Sequence, residues 1–161
     1  KGGLIFKYTH LRLATKTFRN ISLALGLSLL FLDCGKESIQ RNPYFVDIRF
    51  QRDLNLSLPL FNSLNFVGGS VLIPDLGISG VIVFNLNGNT FLAWEATCPN
   101  HNVKSCSALS VNGVLAECNC EAYSYSLATG QLLNPAKNLK PPQGLLYYQV
   151  QNLNGILRVL N

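Results

Sequence analysis

Four of the chain's five cysteines fall between positions 98 and 120, and that crowding constrains the fold more than any other feature of the 161 residues. The run opens with CPNHNVKSC (residues 98–106) and closes with CNCEAYSY (residues 118–125), with an Asn112-Gly113 pair between the two boxes. Asn-Gly is a strong hairpin signal because both residues tolerate positive φ. A hairpin there turns the chain back and brings the two cysteine boxes side by side. Four thiols so gathered serve as metal ligands or as disulfides, and three pairings are open to them.

Past residue 43 the chain reads as short strands. Tyr44–Phe50 alternates, with Val46, Ile48 and Phe50 on one side and Asp47 and Arg49 on the other, the period-2 pattern of a strand. Leu54, Leu56, Leu58 and Leu60 alternate likewise, and Pro59 confines that strand to an edge or an end. Gly68-Gly69 marks a bend before Val71-Leu72-Ile73, and Gly77–Gly80 is a turn. Asn87-Gly88 predicts a hairpin that returns Phe91–Trp94 against Val81–Phe84, with Trp94 in the core. Tyr123 and Tyr125 share one face of a later strand. Lys137, Lys140, Pro141 and Pro142 make a solvated loop, and Leu145–Val150 and Ile156–Leu160 close a last hairpin across Asn154-Gly155. No segment after residue 34 sustains a helical period, so an all-β sandwich or barrel is expected.

The two boxes and their surroundings resemble a Rieske [2Fe-2S] domain. In that family a first loop carries a cysteine and a histidine. A second carries Cys-x-Cys-His-Gly-Ser-x-Phe/Tyr, followed by a Thr-Gly turn and a Gly-Pro-Ala loop that covers the cluster. Here residues 118–125 align with the second box without a gap, and Thr129-Gly130 and Asn134-Pro135-Ala136 follow in order. The ligands depart from the pattern. Glu121 stands where the family has histidine, Ala122 where it has glycine, and Tyr123 where it has the serine that donates to a cluster sulfur. In the first box Asn100 fills the histidine slot and His101 follows it. The resemblance covers residues 65–161. It implies a Rieske-like all-β fold (44–161) with two cysteine-bearing loops, bridged by a disulfide between Cys106 and Cys120.

A Rieske centre takes two thiolates on one iron and two imidazoles on the other. The chain has two histidines, and His10 lies far upstream. The first expectation is therefore a domain with no cofactor, in which Cys98 and Cys118 occupy the vacated thiolate positions and pair as a second disulfide. The alternative is a variant [2Fe-2S] cluster held by Cys98, His101, Cys118 and Glu121, the carboxylate being a harder donor than the imidazole it replaces. A third reading is a structural zinc on Cys98, His101, Cys118 and one further cysteine.

Charge is distributed unevenly. Residues 1–33 hold Lys1, Lys7, Arg12, Lys16 and Arg19 against Asp33 alone, whereas residues 34–161 hold eight basic and seven acidic side chains. The basic balance belongs to a leader, so nucleic acid is not an expected partner. After Lys16 and Arg19, Ile21–Leu32 is an apolar run of 12 residues, short for a spanning helix and suited to a signal-peptide core. Cys34 directly follows this core and resembles the lipidated cysteine of a bacterial lipoprotein. Residues 1–33 are thus expected to be a leader and 34–43 a lipid-anchored tether, with disulfides stable in the exported chain.

Catalysis is not expected. His101 is the only histidine past the leader, no serine or cysteine lies in a nucleophile motif, and Asp75 and Glu95 read as solvated carboxylates in separate turns. The expected protein is a disulfide-stabilised binding or structural module of the bacterial cell envelope, an outer-membrane or periplasmic lipoprotein within an envelope complex. The alternative is an electron-transfer protein, as the family's relatives are electron-transfer components of oxidoreductases.

Overall fold

The computed structural model of the chain describes residues 42–139 and 141–161. The leader, Cys34 and the tether as far as residue 41 lie outside the described residues. Among the described residues no helix is long and apolar enough to cross a membrane.

The described residues form two antiparallel sheets. The larger is built from β1 (Gln51–Asn55), β2 (Ser70–Ile73), β3 (Val81–Asn85), β4 (Phe91–Glu95), β8 (Tyr147–Asn152) and β9 (Ile156–Leu160), in the order β1-β9-β8-β4-β3-β2. The smaller is β5 (Leu109–Asn112), β6 (Leu115–Cys118) and β7 (Ser124–Ser126) in sequence order. Strand β8 joins the two halves of the large sheet. Its Tyr147 and Tyr148 pair with Trp94 and Ala93 of β4, and its residues from Gln149 onward pair with β9.

Strands β3 and β4 explain why the sequence has a continuous apolar run there. Val81, Val83, Phe91 and Ala93 face one buried cluster, together with Leu54, Leu64 and Tyr148. Ile82, Phe84 and Trp94 face the other, which also contains Cys98, Cys118, Tyr125 and Leu127. Both faces of these strands are covered, so period-2 alternation gives way to unbroken hydrophobicity. The small sheet packs its apolar face on the second cluster and thereby carries the two cysteine boxes to the end of β4.

Two expectations over the first strands are corrected. Tyr44–Phe50 forms no ladder, and pairing begins only at Gln51 opposite Leu160. Val46 is exposed while Phe50 rests its ring edge on Tyr148. The end of the chain holds this segment instead, through Asn161 N–H to the Phe50 carbonyl and the Asn161 side-chain amide to the Ile48 carbonyl. The alternating leucines also stop being a strand. Pro59 opens a 3-10 helix, Pro59–Asn65, in which Phe61 and Leu64 are buried three residues apart. Leu58 and Leu60 are left exposed. Proline at a first helical position costs nothing, because its missing N–H would have had no partner there.

Candidate metal centre

Loop one leaves β4 through Glu95, Ala96 and Thr97 and returns at β5. Its base is closed by Cys98 N–H to the Ser107 carbonyl and Leu109 N–H to the Ala96 carbonyl. Cys98 therefore sits at the first position where the chain departs from the sheet. Loop two occupies the equivalent place after β6 and is closed by Cys118 N–H to the Tyr123 carbonyl. A third loop holds it from outside. Asn134 donates from Nδ2 to the Ala122 carbonyl at 2.9 Å, and its Oδ1 accepts from Ser124 N–H at 2.7 Å. The Thr129-Gly130 turn lies on the face of Trp94, whose indole N–H donates to the Leu127 carbonyl at 2.8 Å.

The structure bonds Cys106 to Cys120, one from each loop. Cys98 and Cys118 are buried and remain free thiols, so the expected second bridge between them is not formed. They meet instead with His101 and Glu121, and the four ligand-type atoms lie within 4.8 Å of one another. His101 Nε2 stands 3.4 Å from Cys118 Sγ and 2.7 Å from a Glu121 carboxylate oxygen. Cys118 Sγ is 3.6 Å from the same oxygen. The two thiols form the floor of the site and Glu121, the most exposed of the four, its outer wall.

Orientation comes from hydrogen bonds behind the four side chains. His101 Nδ1 lies 2.7 Å from the Asn102 carbonyl, an arrangement that leaves Nε2 facing the site, as a backbone carbonyl commonly does behind a metal-bound imidazole. Asn100, in the slot where the family has histidine, is committed elsewhere. Its Nδ2 donates to the Tyr125 hydroxyl at 2.8 Å and to the Gln143 carbonyl at 2.9 Å, while its Oδ1 accepts from Gln143 N–H at 2.8 Å. This latch explains the one-residue displacement of the imidazole, since position 100 fastens the loop and position 101 reaches the thiols. The sequence shows the displacement but not its reason, because the partner at Gln143 is 43 residues away.

Burial pushes the Cys98 thiol up to about 12, and the neighbouring Cys118 adds to the effect, against hydrogen bonds from Tyr125 and the Asn100 backbone. Tyr125, whose hydroxyl is 3.3 Å from Cys98 Sγ, is raised as well, first by burial and then by that sulfur. Without a cation the pocket therefore keeps the Cys98 proton at neutral pH. A metal supplies the positive charge that makes a buried thiolate affordable.

The donor set favours a soft or borderline metal: two sulfurs, one imidazole and one carboxylate. The four ligand-type atoms lie within 4.8 Å of one another, so Cys98, His101, Cys118 and Glu121 are the residues that would hold a metal group between the two loops. The expectation of a site with no cofactor rested on all four sulfurs being paired, and the geometry does not support it.

Other residues singled out in the sequence fall elsewhere. Asp75 is exposed and pairs with Arg52 at 2.8 Å. Glu95, read as a solvated carboxylate, is fully buried and accepts four hydrogen bonds, from Ile78 N–H, Ser79 N–H, the Thr97 hydroxyl and the Tyr148 hydroxyl. It anchors the 77–80 turn to the entrance of loop one. Cys34 lies outside the described residues.

No protein-family model and no curated protein matches the chain. Solved structures do. The ferredoxin of Sphingomonas yanoikuyae B1 is 18% identical over 60% of this chain and 88% of its own, with a TM-score of 0.41. A chain from the complex of reduced oxygenase and oxidized ferredoxin in carbazole 1,9a-dioxygenase is 22% identical over 58% and 82%, with a TM-score of 0.40. A Mycobacterium tuberculosis protein described as the small subunit of an NADH-dependent nitrite reductase is 17% identical over 71% and 97%, with a TM-score of 0.41. At these values the likeness says nothing of chemistry or partners. The all-β sheets, the two cysteine-bearing loops and the disulfide between them match what the sequence resemblance to Rieske domains implies.

Proposed function

We propose that this domain is a metal-holding module of the bacterial cell envelope, anchored there through a lipid on Cys34. The observation that supports it is the meeting of two free, buried thiols with His101 and Glu121 inside a loop pair already stapled by Cys106–Cys120. A domain in which sulfur served only as covalent staples would have no use for two thiols left unbonded beside an imidazole. The partner is expected to be another envelope protein, and the exposed Glu121 side of the site is the surface a partner would reach.

Electron transfer through a variant [2Fe-2S] cluster is the second reading, favoured by the Rieske-like frame around Cys98 and Cys118. In that case Cys98, Cys118, His101 and Glu121 would hold the cluster, which would supply one-electron chemistry.

The test is metal content. The full-length chain, purified anaerobically, is expected to retain a metal that Cys98→Ala or Cys118→Ala abolishes. Metal-free protein from cells supplied with iron and zinc, unable to bind either afterwards, would remove the proposal. Fractionation with the membrane, lost in Cys34→Ser, tests the anchor separately.

A further inference from the structure

We infer that the site is built for a single tetrahedral ion of the zinc class, held by Cys98 Sγ, Cys118 Sγ, His101 Nε2 and one oxygen of Glu121. This rests on the metal-holding reading and specifies its nuclearity and its fourth ligand.

The argument starts from bond lengths. Zinc binds sulfur at roughly 2.3 Å and imidazole nitrogen or carboxylate oxygen at roughly 2.0–2.2 Å, so the edges of its ligand tetrahedron run roughly 3.3–3.8 Å. The His101–Cys118 and Cys118–Glu121 separations are already 3.4 and 3.6 Å. The 2.7 Å contact between His101 Nε2 and Glu121 has to open by roughly 0.6 Å to reach such an edge, and the Cys98 sulfur, within 4.8 Å of the other three atoms, closes onto the same ion.

The identity of the fourth ligand follows by exclusion among the neighbouring side chains. Cys106 and Cys120 are bonded to each other, so neither sulfur is free to complete a three-cysteine set. Asn100 is held by Tyr125 and Gln143. Glu121 is the remaining donor within reach, and it sits three residues after Cys118 on the same loop. Two thiolates, one imidazole and one carboxylate suit a borderline-soft ion without its own geometric demands, which is the description of zinc. Bound there, the ion ties loop one to loop two a second time, beside the disulfide.

The experiment uses the full-length chain, stripped with a chelator under anaerobic conditions and titrated with Zn²⁺ and then, separately, with Co²⁺ as a spectroscopic probe. The expected result is one zinc per chain without acid-labile sulfide, and a Co²⁺ form with thiolate charge-transfer bands and the intense visible bands of a tetrahedral ion. Glu121→Gln is expected to weaken Zn²⁺ binding by about 10- to 100-fold or more, since even groups behind a ligand cost that much. Two irons and two acid-labile sulfides per chain would overturn the single-ion inference and leave the metal-holding proposal standing. Failure to bind any of these metals would overturn both. One zinc with affinity unchanged in Glu121→Gln would overturn the carboxylate as fourth ligand. Should that variant misfold, the octahedral or tetrahedral character of the Co²⁺ spectrum in the unaltered chain decides the coordination number.

Discussion

The Tyr148 hydroxyl donates to the Glu95 carboxylate at 2.7 Å, at the point where β8 stops pairing with β4 and turns to β9. Three more donors converge on the same carboxylate, two of them backbone N–H groups of the 77–80 turn. A fully buried carboxylate surrounded by donors alone is matched by an acceptor and mismatched by an amide. Glu95→Gln turns an NH₂ toward one pair of donors, and a backbone N–H cannot rotate away. The cost expected is about 2–3 kcal/mol, and Tyr148→Phe, which removes one donor, about 1 kcal/mol. Urea unfolding monitored by the single tryptophan, Trp94, measures both.

The same pair sets an alkaline limit. Burial, then the hydrogen bond to Glu95, raises Tyr148 above the ordinary tyrosine value. The folded protein thus holds a proton that the unfolded chain releases. The stability from this group is complete below the ordinary value of about 10 and is lost as pH rises beyond it. Tyr125 is raised too, so Tyr148→Phe is expected to shrink the loss of stability between about pH 10 and 12 without abolishing it. An alkaline loss as steep in the variant as in the parent would refute this.

Ala122 has φ of +55°, in the second-box position where the Rieske pattern has glycine. An L-residue with a Cβ costs roughly 1–2 kcal/mol in that left-handed region. Part of the gain from removing the Cβ is returned as entropy of the unfolded chain. Ala122→Gly is accordingly expected to stabilise the domain by about 1 kcal/mol, with thermal unfolding as the measurement. The strain is located beside Glu121, at the outer wall of the candidate metal centre.

Much of this arrangement was legible in the residues, and the reasons differ from place to place. The last hairpin was readable because a two-residue Asn154-Gly155 turn requires positive φ twice, and the structure has +53° and +90° there. The 3-10 helix was hidden because leucines at every second position imitate a strand, and nothing local says that Phe61 and Leu64 will be the buried pair. Glu95 was misread for a related reason. A lone carboxylate does not reveal the four donors that fold around it from residues 78 to 148. At the site, the four donors could be named from the boxes, but not that Cys98 and Cys118 stay unbonded, which depends on what stands between and beside them.

Gly130 and Gly113 share the left-handed region, with φ of +72° and +60°, but not their surroundings. A Cβ at Gly130 would fall 2.6 Å from the Trp94 ring, whereas one at Gly113 meets nothing within 4 Å. Gly113→Ala should therefore cost only the backbone term, about 1–2 kcal/mol. Gly130→Ala adds overpacking of about 1–3 kcal/mol and displaces the indole that binds the Leu127 carbonyl. A changed Trp94 emission maximum in the native state of Gly130→Ala, unchanged in Gly113→Ala, is the expected signature. Equal destabilisation of the two variants would contradict the packing argument.

Cys98 and Cys118 are near enough to meet and are not joined. Exchange needs a thiolate, and burial holds the Cys98 thiol at about 12, so at neutral pH the metal-free protein should oxidise slowly. Diamide, as a two-electron oxidant, would take the two thiol hydrogens and leave a second disulfide. Alkylation of the unfolded metal-free protein followed by mass spectrometry is expected to find Cys98 and Cys118 as thiols before treatment and as a disulfide after prolonged treatment. With Zn²⁺ bound, the sulfur lone pairs are engaged by the ion and the same treatment should leave both cysteines reduced. Oxidation at the same rate with and without Zn²⁺ would mean that the two sulfurs are not ligands, whatever else holds the ion.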